Sequence, residues 1–276
     1  IRRPPRSTRK ESSAASDVYK RQGNVRKSFG YQMRFDLQEG FPAVTTKKLA
    51  WKAMVSELLW FLEGSNDERR LAEILYEDKR ENLEDKNTIW TQNVNAEYWK
   101  QKSKFSGDVG RIYGVQWRDF NGVDQLKNLI EGLKKNPDSR RHILTAWNPA
   151  ELHNMSLPPC HAFSQFYVSD NKLSCQLYQR SCDMFLGVPF NIASYSILIH
   201  IIAKECGYEA GEFIHSLGDF HIYEEHFEQV KIQLSREPKK LPVLKFNPKK
   251  IHEYKTSDFE LINYEHHPKI VAPMNV

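Results

Sequence analysis

A nearly continuous apolar stretch over residues 191–206 constrains the fold of this chain more than any other feature. Ser194, Ser196 and His200 interrupt its apolar run, and Asn191, Lys204 and Glu205 lie at its two ends. Pro189 stands just before the stretch and Gly207 directly after it, which is typical of the first turn and the end of a helix. A helix without a polar face has to be buried on all sides. At this length it is too short to span a bilayer, so the sequence predicts a buried core helix and no membrane segment.

A β-hairpin is predicted in the residues that lead up to this helix. Alternating side chains mark strands at 162–168 and 172–181, and residues 169–171 (Ser-Asp-Asn) are a turn sequence. Because side chains alternate between the two faces of a strand, Arg180 lies on the face opposite Cys175. Cys175 is therefore expected to pack in the core.

Weaker periodic patterns place the remaining elements. They predict a strand near 29–37, a helix at 51–62 with Gly64 as its C-cap, short surface helices over 64–104, a helix at 123–135, a strand at 142–147, an extended segment at 218–223, a helix around 227–234, and strands and loops from 238 onwards. All of these elements follow residue 28, where the sequence changes character.

The basic residues are concentrated at the start of the chain. Residues 1–30 carry nine Lys and Arg against two acidic side chains, whereas residues 31–276 carry 31 against 33. Residues 1–22 are expected to be a disordered basic leader. Its composition is consistent with a transit peptide or a nucleic-acid-binding arm, and the interpretation we favour is a non-native, artefactual extension. The near-neutral remainder, 23–276, is expected to form a single domain and gives no support to a polyanion-binding surface.

The cysteines point to a reducing environment. There are four of them without a CxxC pair: Cys160, Cys175, Cys182 and Cys206. In a chain of 276 residues this pattern is typical neither of a disulfide framework nor of a zinc site. The sequence therefore predicts free thiols, no metal and a cytoplasmic location.

The motif at residues 156–161 (Ser-Leu-Pro-Pro-Cys-His) is the candidate reactive centre. Two prolines with fixed φ make a stiff approach, so the backbone holds the thiol of Cys160 in place. An arginine brought near it from the polar run 179–183 would favour the nucleophilic thiolate. A buried apolar cysteine is the commoner state of a lone thiol, and the motif alone leaves both interpretations open.

Two further positions carry candidate chemistry. Glu57 lies among apolar neighbours in the predicted helix 51–62, where burial would raise its pKa and let it pass protons. The alternative is a salt-bridged or half-exposed glutamate. Arg140 and Arg141 precede a predicted strand, and paired guanidinium groups suit a phosphate. The alternative there is a solvated charge pair.

Seven segments resemble thymidylate synthases, in family order, from about Phe29 to Val276. They are FGYQMRFDLQEGFPAVTTKKL, ELLWFL, IYGVQWRDF, SRRHILTAWNPAEL, LPPCH, QLYQRSCDMFLGVPFNIASY and GDFHIY. The resemblance implies an α/β (α+β) fold, a mixed β-sheet packed with helices that dimerises through the sheet, and one catalytic domain over 23–276. It also implies methylation of dUMP by 5,10-methylenetetrahydrofolate as co-substrate, giving dTMP and dihydrofolate, with no metal.

The resemblance implies a role for each matching residue. The expected catalytic residues are Cys160, which adds to C6 of the uracil, with Glu57, Tyr113, His161, Asp183 and Arg180. The expected dUMP ligands are Arg180 and Ser181 at the phosphate, Asn191 at the uracil edge, and His221 with Tyr223 at the sugar. The expected folate contacts are Trp90, Asp183, Leu186, Gly187, Phe190 and Val276. Arg140 and Arg141 would reach the partner's phosphate site in a homodimer, and Arg180 would also lower the pKa of Cys160.

The chain departs from the family pattern on both sides of the expected site. The family's phosphate-loop arginine is missing, and Lys20 or Arg21 is the candidate substitute. Loss of one of four guanidinium groups is expected to weaken nucleotide binding by roughly 1.5–3 kcal/mol. Thr91 stands where the family has an aspartate and Asn93 where it has a second tryptophan, so the folate side is expected to differ in detail.

Two alternative functions remain beside this one. A dCMP hydroxymethylase shares the fold and the cysteine, but carries an aspartate where Asn191 stands, because cytosine presents a donor where uracil presents an acceptor. Nucleic-acid binding through the basic leader belongs to a different class, and the near-neutral remainder of the chain gives it little support.

Overall fold

The computed structural model describes residues 25–274, so the predicted leader 1–22 lies outside the described residues. The strands are β1 (Val25–Asp36), β2 (Ile143–Thr145), β3 (His161–Ser169), β4 (Lys172–Asp183), β5 (Glu209–Tyr223), β6 (Val243–Phe246) and β7 (Phe259–Ile262). The α-helices are α1 (Trp51–Glu63), α2 (Glu68–Tyr76), α3 (Thr91–Val94), α4 (Glu97–Lys100), α5 (Tyr113–Arg118), α6 (Gln125–Lys135), α7 (Gly187–Cys206) and α8 (Phe227–Leu234). β6 and β7 form a separate two-stranded sheet.

The main sheet is mixed and has the strand order β1-β5-β4-β3-β2. β4 and β5 pair in parallel, whereas the other neighbours are antiparallel. Parallel neighbours need a long crossover connection, and α7 provides it. The architecture confirms the predicted α+β class with helices packed on a mixed sheet.

α7 lies at the centre of the core, as its composition predicts. Residues 192–199 and 201–203 are all buried. The helix begins at Gly187, four residues earlier than expected, because Pro189 fits a first turn in which no N–H is needed. Gly207 ends it with a φ of 83°, a left-handed conformation that glycine adopts without strain. Neither α7 nor any other helix of residues 25–274 is long and apolar enough to cross a membrane.

The predicted hairpin forms from β3 and β4. Asp170 and Asn171 in its turn have positive φ values of 50° and 59°, which their short polar side chains tolerate. Cys175 is buried on the core face, as expected. β5 is longer than the predicted extended segment, since it begins at Glu209. The first half of β5 has a polar sequence that does not predict a strand. It forms a strand because it pairs with both β1 and β4.

One face of the main sheet is exposed in the described chain. Register places Phe163 beside Tyr178, and Ile143 beside Gln165. Cross-strand neighbours point to the same face of a sheet. Tyr167, two residues beyond Gln165, shares this face and is 64% exposed. An apolar patch of this kind marks an interaction surface. We call it the open sheet face (Ile143, Phe163, Tyr167 and Tyr178).

Candidate active site

Cys160 directly precedes β3, and its backbone is held by hydrogen bonds. Its N–H donates to the hydroxyl of Tyr113 at 2.7 Å, and its carbonyl accepts from the N–H of Arg180 at 2.8 Å. The Arg180 guanidinium donates to the carbonyls of Pro158 and Pro159, each at 2.8 Å. Prolines lack an N–H but keep their carbonyls, so one arginine fixes the approach to the thiol. The thiol is therefore carried on a segment that its neighbours hold rigid.

The environment of the Cys160 thiol pulls its pKa in two directions. Burial raises the pKa above its ordinary value of 9.0, whereas the Arg180 charge and hydrogen bonds with Ser181 and Tyr113 lower it, and burial prevails. The expectation that Arg180 lowers this pKa is confirmed, but burial raises it by more. The reason is that withdrawing water from a thiolate outweighs one nearby guanidinium group. The resting thiol is protonated at neutral pH.

His161 is a neutral, packed side chain. Its ring stacks on Tyr113 with 4.0 Å between ring centroids, and its Nδ1 lies 3.0 Å from the hydroxyl of Tyr195. Burial, with a smaller contribution from His215, lowers the pKa of His161 to about 3. His161 therefore orders Tyr113 rather than carrying a charge at neutral pH. Tyr195 was not singled out from the sequence, because it lies within the apolar stretch of α7 and has the pattern of a core residue.

Glu57 is a buried carboxylate with one visible hydrogen-bond donor. It is 6% exposed, and the indole Nε1 of Trp90 donates to its Oε1 at 2.6 Å. Burial raises its pKa from 4.5 to about 7, and the Trp90 hydrogen bond acts in the opposite direction. The predicted raised pKa is confirmed, so this group exchanges a proton near neutral pH. Trp90, expected at the folate, has its indole N–H committed to Glu57.

The side-chain amide of Asn191 is oriented by two residues that were not predicted. Gln179 donates from Nε2 to Asn191 Oδ1 at 3.1 Å and to the Ser181 carbonyl at 2.9 Å. The Oε1 of Gln179 lies 2.9 Å from Nε2 of His215. Gln179 can therefore present only N–H groups to Asn191, and Nδ2 of Asn191 takes no part in this network. The sequence analysis did not predict a role for Gln179 or His215. They come together only through the pairing of β4 with β5, and the register of that pairing cannot be read from the sequence.

The ends of β4 and β5 place the expected sugar and phosphate ligands side by side. Ser181 is opposite Asp219 and Asp183 is opposite His221 in the parallel register. His221 Nδ1 lies 3.3 Å from Asp219 Oδ1, and its ring meets that of Tyr223 edge-on at 5.1 Å. Burial raises the pKa of Tyr223 to about 12, so its hydroxyl keeps its proton. Hydroxyl and imidazole groups thus converge at this edge of the sheet.

Asp183 organises the turn from β4 into α7. Its Oδ1 accepts from the N–H groups of Phe185 at 2.9 Å and Leu186 at 3.2 Å. A Cβ atom placed on Gly187 would lie 3.6 Å from Asp183 Cβ and 3.8 Å from Asn191 Oδ1. The glycine thus keeps open a gap that a side chain would fill. The half-buried rings and aliphatic groups at this end of α7 are those of Leu186 and Phe190.

Lys47 is a further residue that the sequence analysis missed. Its Nζ donates to the Phe185 carbonyl and lies 3.6 Å from the centroid of the Phe185 ring. Burial lowers its pKa to about 8, while the charge of Asp183 acts in the opposite direction. Two adjacent lysines ahead of a predicted helix have the pattern of solvated side chains, so the sequence carried no signal that one of them is buried.

Arg140 and Arg141 lie apart from this cluster. Both are exposed and directly precede the short segment leading into β2 at the sheet edge. The Arg140 carbonyl accepts from Nε2 of Gln165 at 3.0 Å, which places the pair beside the open sheet face. Val276, Lys20 and Arg21 lie outside the described residues. Within 25–274 there is no group of three His, Cys, Asp or Glu side chains that could hold a metal ion.

Known proteins resemble this chain over almost its whole length. The family model described as Thymidylate synthase matches residues 9–276. A relative named Thymidylate synthase, from Mycoplasma pneumoniae (strain ATCC 29342 / M129 / Subtype 1), is 51% identical over 270 residues, which cover 90% of this chain and 90% of that protein. The span that the family model matches includes every site residue named above.

Proposed function

This chain belongs to the thymidylate synthase family, and from that membership we propose how its residues carry out the family's reaction. The chain is a one-carbon methyltransferase that converts dUMP and 5,10-methylenetetrahydrofolate into dTMP and dihydrofolate. The observation that supports the proposed mechanism is that Tyr113 and Arg180 hold the backbone at Cys160, while both groups also act on the pKa of its thiol.

The nucleophile in this mechanism is Sγ of Cys160, which adds to C6 of the uracil. The new S–C6 bond breaks the C5–C6 π bond, and its electron pair moves through C4 towards O4. C5 then becomes a carbon nucleophile, which the intact ring does not provide. The proton that leaves the thiol passes to Glu57, and Glu57 gives a proton to O4, so neither the ring nor the carboxyl group changes its net charge in this step.

The proton transfers follow from the pKa values of the surrounding groups. Glu57, with a pKa of about 7, both gives and takes a proton at the working pH. Asn191 donates from Nδ2 to O4, because Gln179 occupies one side of its Oδ1. Burial raises the pKa of Tyr113 well above 10, so it assists loss of the C5 proton as a neutral hydroxyl.

The phosphate site is coupled to the nucleophile through Arg180. Its Nε and one N–H of Nη2 hold the prolyl carbonyls before Cys160, which leaves Nη1 for a phosphate. Ser181 adds a hydroxyl, while His221 and Tyr223 supply the sugar contacts. A nucleotide bound by this guanidinium group therefore meets a thiol that the same group positions.

The residues around Gly187 suit the folate co-substrate, which supplies the one-carbon unit and the hydride. Gly187 puts no side chain beside Asp183 and Asn191, and Leu186 with Phe190 offers apolar contact. Oδ2 of Asp183 is the acceptor for a ring N–H, since Oδ1 is used by backbone N–H groups. Trp90 offers its ring, and Val276 is proposed to close over the folate.

We also propose that the chain is a homodimer joined through the open sheet face. Exposed aromatic side chains there need a partner, and Arg140 with Arg141 stands at its border. A two-fold interface would carry these two arginines to the partner's phosphate site. The four thiols are free within the described chain, which supports a reducing, cytoplasmic location.

Mixing two inactive variants tests whether the active site is shared between the two subunits of a dimer. Cys160→Ala and the double variant Arg140→Ala/Arg141→Ala, each nearly inactive, should recover about a quarter of wild-type activity after subunit exchange, because half of the dimers gain one intact site of two. Cys160→Ala mixed with Glu57→Gln is the matched control and should recover nothing. Each subunit supplies Cys160 and Glu57 to its own site, so both sites of a mixed dimer stay defective. Equal recovery in both mixtures, or none in either, contradicts the shared site.

Asn191→Asp tests the assignment of the base. The wild type should turn over dUMP and ignore dCMP, whereas the variant should lose at least about 10²-fold in kcat/KM for dUMP, because an acceptor then faces O4. Dihydrofolate formation is followed by absorbance for both nucleotides. A wild type that prefers dCMP would instead support the dCMP hydroxymethylase alternative.

The boundary between a leader at 1–22 and a domain at 23–276 remains a prediction, as does the assignment of Lys20 or Arg21 to the phosphate. RNA binding through the leader is the alternative from a different class. The salt dependence of RNA affinity in the full chain and in a chain lacking 1–22 distinguishes it from catalysis.

A further inference from the structure

Trp90 donates to Glu57, yet the segment that brings Trp90 there has little structure of its own. Residues 83–90 contain turns but no helix or strand. The Trp90 ring lies 5.9 Å from that of Trp60 and 6.0 Å from that of Tyr113. Ring packing limits where the indole lies. Its N–H donates to Oε1 of Glu57 at 2.6 Å, and this hydrogen bond requires that the backbone of residues 83–90 be held in place.

A buried ion pair at the start of α2 holds this segment. Glu68 is 1% exposed, and Arg69 donates to its carboxylate from both Nε and Nη2 at 2.6 Å. The third guanidinium nitrogen, Nη1, donates to the carbonyls of Leu83 and Lys86, each at 2.9 Å. Arg69 thus joins the carboxylate to the backbone at the start of the irregular segment.

The carboxylate of Glu68 holds the other end of the segment. Its Oε1 accepts from the hydroxyls of Thr88 at 2.6 Å and Thr91 at 2.7 Å. The Thr88 hydroxyl accepts in turn from the N–H of Trp90 at 3.1 Å, and Thr91 Oγ1 accepts from the N–H of Thr88 at 2.8 Å. A continuous series of hydrogen bonds therefore runs from Glu68 to the backbone of Trp90, whose indole reaches Glu57.

We propose that the Glu68–Arg69 pair is a positioning device for Glu57, acting through Thr88, Thr91 and Trp90. The inference rests on the proposed role of Glu57. The inference explains why this chain has Thr91 where the family has an aspartate, because the Thr91 hydroxyl donates to the carboxylate of Glu68. An aspartate in place of Thr91 would set a second carboxylate against Glu68, and like charges in a buried site repel.

The pair has to be charged and paired for this to work. A buried carboxylate that accepts from one guanidinium group and two hydroxyls is satisfied, whereas loss of one partner leaves the others buried without a hydrogen bond. Ionic hydrogen bonds are also shorter and more directional than neutral ones. The pair therefore fixes Thr88 and Thr91 more narrowly than the packing of the tryptophan ring alone would.

The pH profile separates positioning from a structural role. Tyr113 lies close enough to Glu57 for their charges to interact, and its pKa is raised. Cys160, whose N–H donates to Tyr113, also has a raised pKa, whereas His161, stacked on Tyr113, has a lowered one. Glu57 is thus the one of these four side chains that titrates near pH 7, and the hydrogen bond from Trp90 lowers its pKa. Removing a donor to a carboxylate disfavours the charged form, so the inflection in log kcat should move to higher pH.

The experiment compares Trp90→Phe, Glu68→Gln and Thr91→Val in the full-length enzyme. Trp90→Phe should move the inflection upward by about one pH unit. Glu68→Gln and Thr91→Val should move it the same way by a smaller amount, Thr91→Ser should restore it, and Glu68→Gln should add nothing to Trp90→Phe. The matched control is Glu73→Gln, which changes another carboxylate on α2, one that pairs with Arg70 and Arg80 and not with Arg69, and should leave the inflection in place.

A second readout does not depend on activity. The indole N–H resonance of Trp90, assigned by its loss in Trp90→Phe, should shift in Glu68→Gln and stay unchanged in Glu73→Gln. An unmoved inflection and an unmoved resonance in both Glu68→Gln and Thr91→Val would overturn the inference and leave a merely structural ion pair. Full activity without an inflection in Glu57→Gln would instead overturn the proposed role of Glu57 itself.

Discussion

Cys160→Ala is expected to lower the turnover of dUMP by at least about 10³-fold, the scale of removing a covalent nucleophile. Alanine keeps the backbone that Tyr113 and Arg180 hold, because those hydrogen bonds run to the main chain. The nucleotide should therefore still bind while the reaction stops. Dihydrofolate absorbance gives the rate, and equilibrium dialysis of dUMP gives the binding.

A mechanism-based adduct gives the same prediction a structural readout. With 5-fluoro-dUMP and the folate, fluorine blocks loss from C5, so a covalent complex should accumulate on Cys160 and appear by mass spectrometry. The control is Cys206→Ala, which removes another half-buried thiol, one whose Sγ lies 3.8 Å from the Ile130 carbonyl. That variant should turn over dUMP and form the adduct. Turnover that survives in Cys160→Ala, or a wild type that binds both ligands without an adduct, contradicts the mechanism.

Glu57→Gln is expected to have two opposite effects, on activity and on stability. Glutamine keeps the shape and an acceptor for the Trp90 indole but cannot exchange a proton, so kcat should fall by roughly 10²–10³-fold, within the range of general acid–base catalysis. The inflection of log kcat near pH 7 should disappear with it, because the pKa of Glu57 is about 7.

The effect on stability follows from the same pKa. The folded state raises the pKa of Glu57 from 4.5 to about 7, so the folded state binds the proton more tightly than the unfolded chain. The stability from this group is fully present below pH 4.5 and is lost as pH rises through 7, by about 3 kcal/mol in total. Between pH 4.5 and pH 8, Glu57→Gln should therefore gain about that much free energy of unfolding relative to wild type.

Urea unfolding of both proteins at the two pH values measures this change, and their difference removes the contributions of other groups. Glu63→Gln is the control on the same helix, since Glu63 pairs with Arg70 at the surface. It should change neither the inflection nor the pH dependence of stability. A constant stability difference between Glu57→Gln and wild type across this range would mean that folding does not raise the pKa of Glu57, and would contradict its proposed role.

The hairpin and α7 show how far local patterns reach. Alternation along β3 and β4, the Asp170-Asn171 turn and the apolar run of α7 each arise from neighbours in sequence, so they were predictable. The first half of β5 was not, because its strand state depends on pairing with β1 and β4 rather than on its own residues. The burial of Lys47 was also not predictable from local sequence, because the ring that covers it belongs to Phe185, which is distant in the chain.

The sequence by itself determined which chemical groups this enzyme has, and where the elements with a strong local pattern lie, such as α7 and the hairpin of β3 and β4. It placed Cys160 after two prolines and Glu57 among apolar neighbours, both of which are local facts. Only the tertiary structure decided how those groups behave: burial outweighs Arg180 at the thiol, Gln179 orients Asn191, and Glu68 is linked to Trp90 through Thr88. The physical reason is that desolvation, hydrogen-bond direction and charge pairing depend on distances of a few ångströms between residues far apart in the chain.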